Sequence, residues 1–320
     1  MTARFGEMKK NEIDIAEDIY SYLRGWWGLK APVLTDTKCD ILARSVSEWR
    51  ATFQRGKYGK LRRMYQNDKD LAGYLVAFGP RYAYTLYFLL KASGRKQDLC
   101  EKGGVLRVCY IGGGAAIDLV GLLALLYERG KPPRDLEVHF VDRSPQWRRF
   151  HNSLFGAILP KHFPRTRTLP HYHDLDLNGP APNYSPTISG AFESSIFILS
   201  NVLSEFSEKE QDGVKEHLRF LLRSARASFY LAVADSNAKK LRPRLSWLED
   251  FVAGLGFPYY LQFSGQVGVD CDWLKKDDVT ARVFGVGGPS FLTSVNRRGF
   301  VAKVLAGKRG RKLRPTRNDH

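Results

Sequence analysis

The segment Val105-Leu-Arg-Val-Cys-Tyr-Ile-Gly-Gly-Gly-Ala-Ala-Ile-Asp118 constrains this chain more than any other. A mostly apolar run meets three consecutive glycines and passes at once into a helical pattern, Ala116–Arg129. Glycine lets the backbone approach a ligand closely, because no Cβ intervenes and positive φ is allowed. The helix that follows offers unpaired N–H groups and the positive end of its dipole. Strand, glycine turn and helix in that order make a crevice at the carboxyl end of the strand, where open α/β sheets bind ligands.

The rest of the chain supplies the sheet. Candidate strands Leu106–Ile111, Glu137–Asp142, Ser195–Ser200 and Phe229–Asp235 alternate with helical patterns Ala116–Arg129, Gln146–Phe155 and Lys209–Ala225. That alternation predicts an α/β fold with a mostly parallel, Rossmann-like sheet covered on both faces. A further helix, Ser246–Leu255, ends at Gly256, a C-cap residue. Tyr259–Val269 and Thr280–Val286 follow with no helix between them, so they predict an antiparallel hairpin closing the sheet. Residues 8–100 read as a helical N-terminal extension. Within it Asp70–Lys91 reads as one helix bent at Pro80, crowded with Tyr74, Phe78, Tyr82, Tyr84, Tyr87 and Phe88. So aromatic a helix must pack on something large, and the sheet domain is the economical choice. The predicted organisation is a helical region over 1–100, a ligand-binding domain over 101–290 and a basic tail over 291–320.

Two cofactor classes compete for the glycine turn. A dinucleotide site wants G-x-G-x-x-G/A, and this chain has Gly112, Gly114 and then Ile117, so the third small residue is missing. Asp142 ends the second strand, and a carboxylate there can accept both hydroxyls of a ribose. It lies 30 positions beyond Gly112, longer than the roughly 20 of the dinucleotide fingerprint. The glycine pattern and the closing hairpin favour S-adenosylmethionine.

Taken together, the residues from Val105 to Gly287 resemble the class I S-adenosylmethionine-dependent methyltransferases. The resemblance implies that Gly112, Gly113 and Gly114 surround the methionine moiety and that Asp142 holds the ribose, with Arg143 beside the adenine. It implies an adenine contact from His173-Asp174-Leu175, and that Phe197-Ile-Leu-Ser-Asn-Val-Leu-Ser-Glu205 passes the reactive methyl group. Many members carry an acid two residues before the first glycine, where this chain has Tyr110. Asp118, early in the following helix, is the candidate to take over the contact with the cofactor's ammonium group. The Gly-Gly-Gly-Ala-x-x-acid run is similar to that of fungal large-subunit rRNA uridine-N3 methyltransferases. Gly73-Tyr-Leu-Val-Ala-Phe-Gly-Pro-Arg-Tyr82, with Val202-Leu-Ser-Glu205, resembles mitochondrial small-subunit-associated methyltransferase-like proteins. In those families the aromatic helix before the sheet covers the cofactor, which implies contacts from Tyr74 and Arg81. The second family carries a cysteine-rich segment near its end, where this chain has only Cys271.

Methyl transfer from a sulfonium is an in-line displacement governed mostly by positioning. A nitrogen or oxygen acceptor can in addition need a base. Ser200, Asn201 and Glu205 are the polar groups expected to orient an acceptor, with Ser200-Asn201-Val202-Leu203 standing where base-amino methyltransferases have Asn-Pro-Pro-aromatic. Glu205 reads equally well as a helix-start acid. His171 and His173 alternate along the chain, so they fall on one face of any strand there; no metal site is expected of them.

The net charge of +17 is the strongest bulk signal. It raises encounter rates with polyanions, and RNA is the expected partner. The candidate phosphate contacts are Arg50, Arg55, Arg62 and Arg63, then Arg148 and Arg149, Arg165 and Arg167, and Arg309, Arg311 and Lys312 in the tail. No apolar run approaches the roughly 20 residues that cross a bilayer, no membrane association is expected, and the acids near the start argue against a leader. Four scattered cysteines suit a reducing, intracellular setting, nuclear or nucleolar or cytoplasmic. The leading expectation is an S-adenosylmethionine-dependent methyltransferase acting on RNA, with rRNA as one candidate. The alternatives are a catalytically silent ribonucleoprotein assembly factor that keeps this fold, and a methyltransferase with a protein or small-molecule acceptor.

Overall fold

The computed structural model describes residues 15–26, 44–45, 47–49, 51–52, 60, 63–92, 99–100, 103–177, 186–200, 202–203, 206, 210–225, 229–236, 247–248, 250–252, 254–255, 263–269, 277–286, 294–295 and 304–307. Its centre is a nine-stranded sheet in the order β3-β2-β1-β4-β5-β9-β7-β6-β8. The first five strands are β1 (Val105–Ile111), β2 (Asp135–Asp142), β3 (Arg167–Asp174), β4 (Ile196–Ser200) and β5 (Phe229–Ser236), and every pairing among them is parallel. The hairpin β6 (Phe263–Val269) and β7 (Asp277–Val286) is antiparallel, and β7 runs antiparallel to β5. This is the mostly parallel α/β sheet with an antiparallel closing hairpin that the sequence predicts.

Register aligns the functional ends. Ile111 pairs with Val141 and Val141 with His173, so the carboxyl ends of β1, β2 and β3 finish level. Strand order reverses at β1, which has β2 on one side and β4 on the other. An open α/β sheet has its binding crevice at such a reversal.

The faces of the sheet divide two cores with the period of a strand. Leu106, Val108 and Tyr110 enter one core, together with Ile15, Ile19 and Leu23 of α1 (Ile15–Trp26) and the apolar side of α4 (Leu119–Glu128). Cys109 and Ile111 enter the other, with Val214, Leu218 and Leu221 of α6 (Gln211–Ser224). The described N-terminal helices therefore share a core with the sheet.

The aromatic segment departs from expectation. It forms two helices, α2 (Asp68–Tyr82) and α3 (Thr85–Ala92), and Pro80 lies within α2. The break falls at Ala83 and Tyr84, where the Ala83 carbonyl accepts the N–H of Gly121 at 2.8 Å, from α4. A Cβ on Gly121 would sit 2.5 Å from that oxygen and 3.0 Å from Tyr84 Cα. Tertiary contact, not proline, sets the boundary. Strand β3 is the second departure, since periodicity did not single it out. It is an edge strand with no fully buried position in its pattern, so it lacks the apolar run that marks the others.

Helix α5 (Trp147–Ser153) continues through a π turn, Leu154–Ile158, and a last turn, Leu159–His162. In the segment expected as a basic tail, β8 (Ser294–Val295) pairs with β6, and β9 (Val304–Gly307) pairs with β5 and β7. Arg309, Arg311 and Lys312 lie outside the described residues, as do Arg50, Arg55 and Arg62. No helix among the described residues is long and apolar enough to cross a membrane.

Candidate active site

The glycine turn is wound by alternating positive φ: 66° at Gly112, 49° at Gly114 and 48° at Ala116. Glycine tolerates this at 112 and 114; alanine at 116 does not, and strain of that kind persists where the surroundings over-determine it. Such alternation gathers successive N–H groups into a concavity. A Cβ at Gly112 would meet Val202 at 2.9 Å, and one at Gly113 would meet Tyr110 at 2.8 Å and Phe140 at 2.9 Å. Side chains are excluded from the turn on conformational and steric grounds.

Asp142 answers the turn from β2. Its carboxylate accepts the Gly114 N–H at 2.9 Å on one oxygen and the Ser144 N–H at 2.7 Å on the other. Burial pushes its pKa up, and those two N–H groups with the Arg143 charge pull it down. A carboxylate offers about four acceptor positions, so capacity for two hydroxyls remains. His151 of α5 holds the turn from behind. Burial holds its pKa down at about 4, so the neutral ring donates through Nε2 to the Gly114 carbonyl at 2.8 Å. It stacks on Phe140 with ring centroids 4.2 Å apart. Gly114 is thus gripped at its N–H by Asp142 and at its carbonyl by His151. Composition and spacing gave no hint of His151, because the contact joins residues 37 positions apart.

Asp118 precedes α4 but makes no side-chain cap hydrogen bond. It is 2% exposed, and one oxygen accepts the Tyr110 hydroxyl at 2.5 Å. The other oxygen is buried with no hydrogen-bond partner. Burial raises its pKa to about 6, against the lowering effect of the Tyr110 and Ser200 hydroxyls. Tyr110, the residue that replaces the expected acid, therefore orients a carboxylate that arrives from the next element.

These groups line one cleft with about 910 Å³ of empty space, including the part open to solvent. Gly112, Gly113, Gly114, Asp118, Asp142 and Arg143 line it, as do Leu175 from the end of β3, Ser200 from the end of β4, and Tyr74. Asp174 does not. It is 67% exposed and pairs with Arg148 at 2.7 Å, and the acid that lines the cleft after β3 is Asp176, bonded to Arg143 at 3.3 Å. The chain must leave the edge strand before it can turn inward, which shifts the acid by two positions. Asn201 and Glu205 lie outside the described residues, and the Arg81 side chain is likewise not described. Tyr65, Tyr82, Trp147 and Phe206 also line it and were not anticipated. Tyr74 and Trp147 meet edge to face at 5.3 Å, so the helical region supplies an aromatic wall.

The histidines of β2 and β3 form a column. His139 stacks on His171 at 4.7 Å and on His173 at 5.4 Å, and its Nδ1 shares a hydrogen bond with His173 Nε2 at 3.1 Å. Burial lowers the pKa of His139 and of His173. No group of three or more potential metal ligands occurs among the described residues.

No protein-family model matches this chain, and no curated protein matches it. Among solved structures it is similar to an O-methyltransferase family protein from Burkholderia thailandensis, at 12% identity and a TM-score of 0.39, over 77% of this chain and 61% of that one. It is also similar to an S-adenosylmethionine-dependent methyltransferase from Methanosarcina mazei, at 10% identity and a TM-score of 0.36, over 64% of this chain and 93% of that one. A third similarity is to the methyltransferase domain of a bacterial Hen1, at 13% identity and a TM-score of 0.37, over 64% and 96%. The chain spans about three fifths of the length of the Burkholderia protein it matches. Likenesses this distant identify neither a family nor a substrate.

Proposed function

We propose that this chain is an S-adenosylmethionine-dependent methyltransferase acting on RNA. The observation that carries the reading is the buried Asp118 oxygen without a hydrogen-bond partner, beside a glycine turn with no room for a Cβ at Gly112 or Gly113. A buried carboxylate is costly unless it meets a cation or donors, and an amino-acid ammonium meets that need. Asp142, already oriented by two backbone N–H groups, stands where a ribose would present its hydroxyls. Arg143 and Asp176 flank the same cleft, and the aromatic wall of Tyr74 and Trp147 supplies π faces that attract a sulfonium or a flat base.

When bound, the cofactor supplies an electrophilic methyl group. The chain's own residues bind and orient. Asp118 would hold the ammonium and Asp142 the ribose, while His151 anchors the Gly114 carbonyl. Ser200, which lines the cleft at the end of β4, is a candidate to orient an acceptor; Asn201 and Glu205 follow it in sequence as further candidates. RNA as the acceptor rests on the net charge of +17. Arg148 and Arg149 support it less than their composition promised, because Arg148 is paired with Asp174 and Arg149 with Asp68. Arg63 is exposed.

The test is transfer of labelled methyl from S-adenosylmethionine to fractionated RNA and to protein. Label in RNA alone is expected. Label in protein alone would move the acceptor to another class. Cofactor binding with no transfer to any fraction would return the silent-scaffold reading.

A further inference from the structure

We infer that the edge of the sheet opposite the cleft carries a nucleic-acid docking platform, built from Lys131, Arg134, Arg165 and Arg167. The four residues come from two loops that the fold ties together. The Arg167 N–H donates to the Arg134 carbonyl at 2.8 Å, and Thr166 Oγ1 donates to the Pro133 carbonyl at 2.7 Å. Tyr127 shares a hydrogen bond with Thr166 at 3.0 Å, and the Arg165 guanidinium lies over the Tyr127 ring at 5.2 Å from its centroid.

One buried carboxylate arranges two of the cations. Asp135 accepts the Nε of Arg134 on one oxygen and the Nε of Arg167 on the other, both at 2.8 Å. Asp135 is 7% exposed at its side chain, while each arginine is 70% exposed. A guanidinium held through Nε keeps its terminal fork for an outside anion, and that fork matches phosphate oxygens. Among the described residues the carboxylate at this edge is Asp135, and Glu128 nearby is engaged by Lys91 and Tyr87. Positive charge therefore dominates there.

The partner is a polymer of phosphates and not a lipid surface. Membrane association by a basic patch is strengthened by apolar groups that insert beside the charges. The one exposed large hydrophobic among the described residues is Phe220, on α6 and not on these loops. Distance argues for a polymer as well. Strand β2 runs from Asp135 at the platform to Asp142 in the cleft, 8 residues, or about 23 Å at ~3.3 Å per residue. A small molecule in the cleft cannot touch the platform, whereas a strand or duplex can engage both. The platform does not depend on methyl transfer, and it stands or falls separately from the cofactor reading.

The test is fluorescence anisotropy of the full chain with a labelled mixed-sequence 20-nucleotide RNA, single-stranded and as a duplex, across a salt series. The variants are K131E/R165E, which leaves the Asp135 hydrogen bonds alone, and R219E/R223E, an equal charge change on α6. The first should weaken binding at least tenfold and lower the log–log salt slope by about 1 to 2, near 0.7–0.9 per lost phosphate contact. The second should weaken it by less than threefold. Unchanged melting temperatures certify folding, and R134Q/R167Q, which keeps donors to Asp135, should reproduce the first result if K131E/R165E does not fold. Equal losses in both charge reversals, no loss in the first, or no RNA binding by the wild type would overturn the platform.

Discussion

At the scale of single residues the account turns on groups whose chemistry is half completed. Asp118 has one oxygen tied to Tyr110 and one left over, while Gly114 is tied at both ends, to Asp142 and to His151. His151→Phe keeps the stack on Phe140 and removes the donor, so it should release the Gly114 carbonyl at a cost of about 1–3 kcal/mol. S-adenosylhomocysteine affinity should fall about tenfold, and His151→Gln, which can restore a donor, should recover most of it. Calorimetric titration of the two variants checks this; full affinity in His151→Phe with a loss in His151→Gln would assign His151 to packing alone. The sequence showed the glycines and Asp142 because local turn chemistry selects them. It could not show His151 or the shift from Asp174 to Asp176, because both are settled by which way the chain leaves a strand.

At the scale of elements, α4 packs closely at Gly121, where it donates to the carbonyl at the break between α2 and α3. A methyl group there has no room against backbone atoms. Gly121→Ala should therefore destabilise the protein by about 2–3 kcal/mol, in the range of overpacking, despite alanine's higher helix propensity. Thermal unfolding measures it, and a stabilised variant would show that the two helices separate freely. Strands β1, β2, β4 and β5 were legible because they are apolar and bounded by turns. The proline at position 80 misled, since a tertiary hydrogen bond three residues later sets the boundary. Edge strand β3 was not marked by periodicity because none of its residues is fully buried and no apolar stripe forms.

For the whole molecule, pH acts through buried groups of opposite sign. His139, His151 and His173 have pKa values lowered by burial, so the unfolded chain binds more protons than the folded one. Their stabilisation is complete above the ordinary histidine value near 6.5 and is lost as pH falls below it; a pKa lowered by one pH unit corresponds to about 1.4 kcal/mol. Asp118, raised to about 6, opposes this, as do Asp142 and Asp70, also raised by burial, because protonation removes their buried charge. His139 and His151, lowered to about 3 and about 4, carry the larger shifts, and the melting temperature should fall between pH 6.5 and 4.5. A melting temperature that rises over that window would contradict the burial of His139, His151 and His173. Fold class was legible from alternation of strand and helix, and the net charge points to a polyanionic partner. Composition could not say where the cations gather, since Arg134 and Arg167 become neighbours only through strand pairing.

The central claim is that Asp118 awaits a cation in the glycine cleft. Calorimetric titration with S-adenosylhomocysteine from pH 8 to pH 5, on wild type and Asp118→Asn, tests it most directly. The account predicts one-to-one binding that is flat above pH 7 and weakens toward tenfold per pH unit below about 6, as the carboxyl raised by burial takes up its proton. Asp118→Asn should bind at least tenfold more weakly at pH 7.5 and lose that pH dependence, while melting higher than wild type without ligand, because a buried charge has been removed. No heat of binding in the wild type, or a variant that binds as well as wild type, would contradict it.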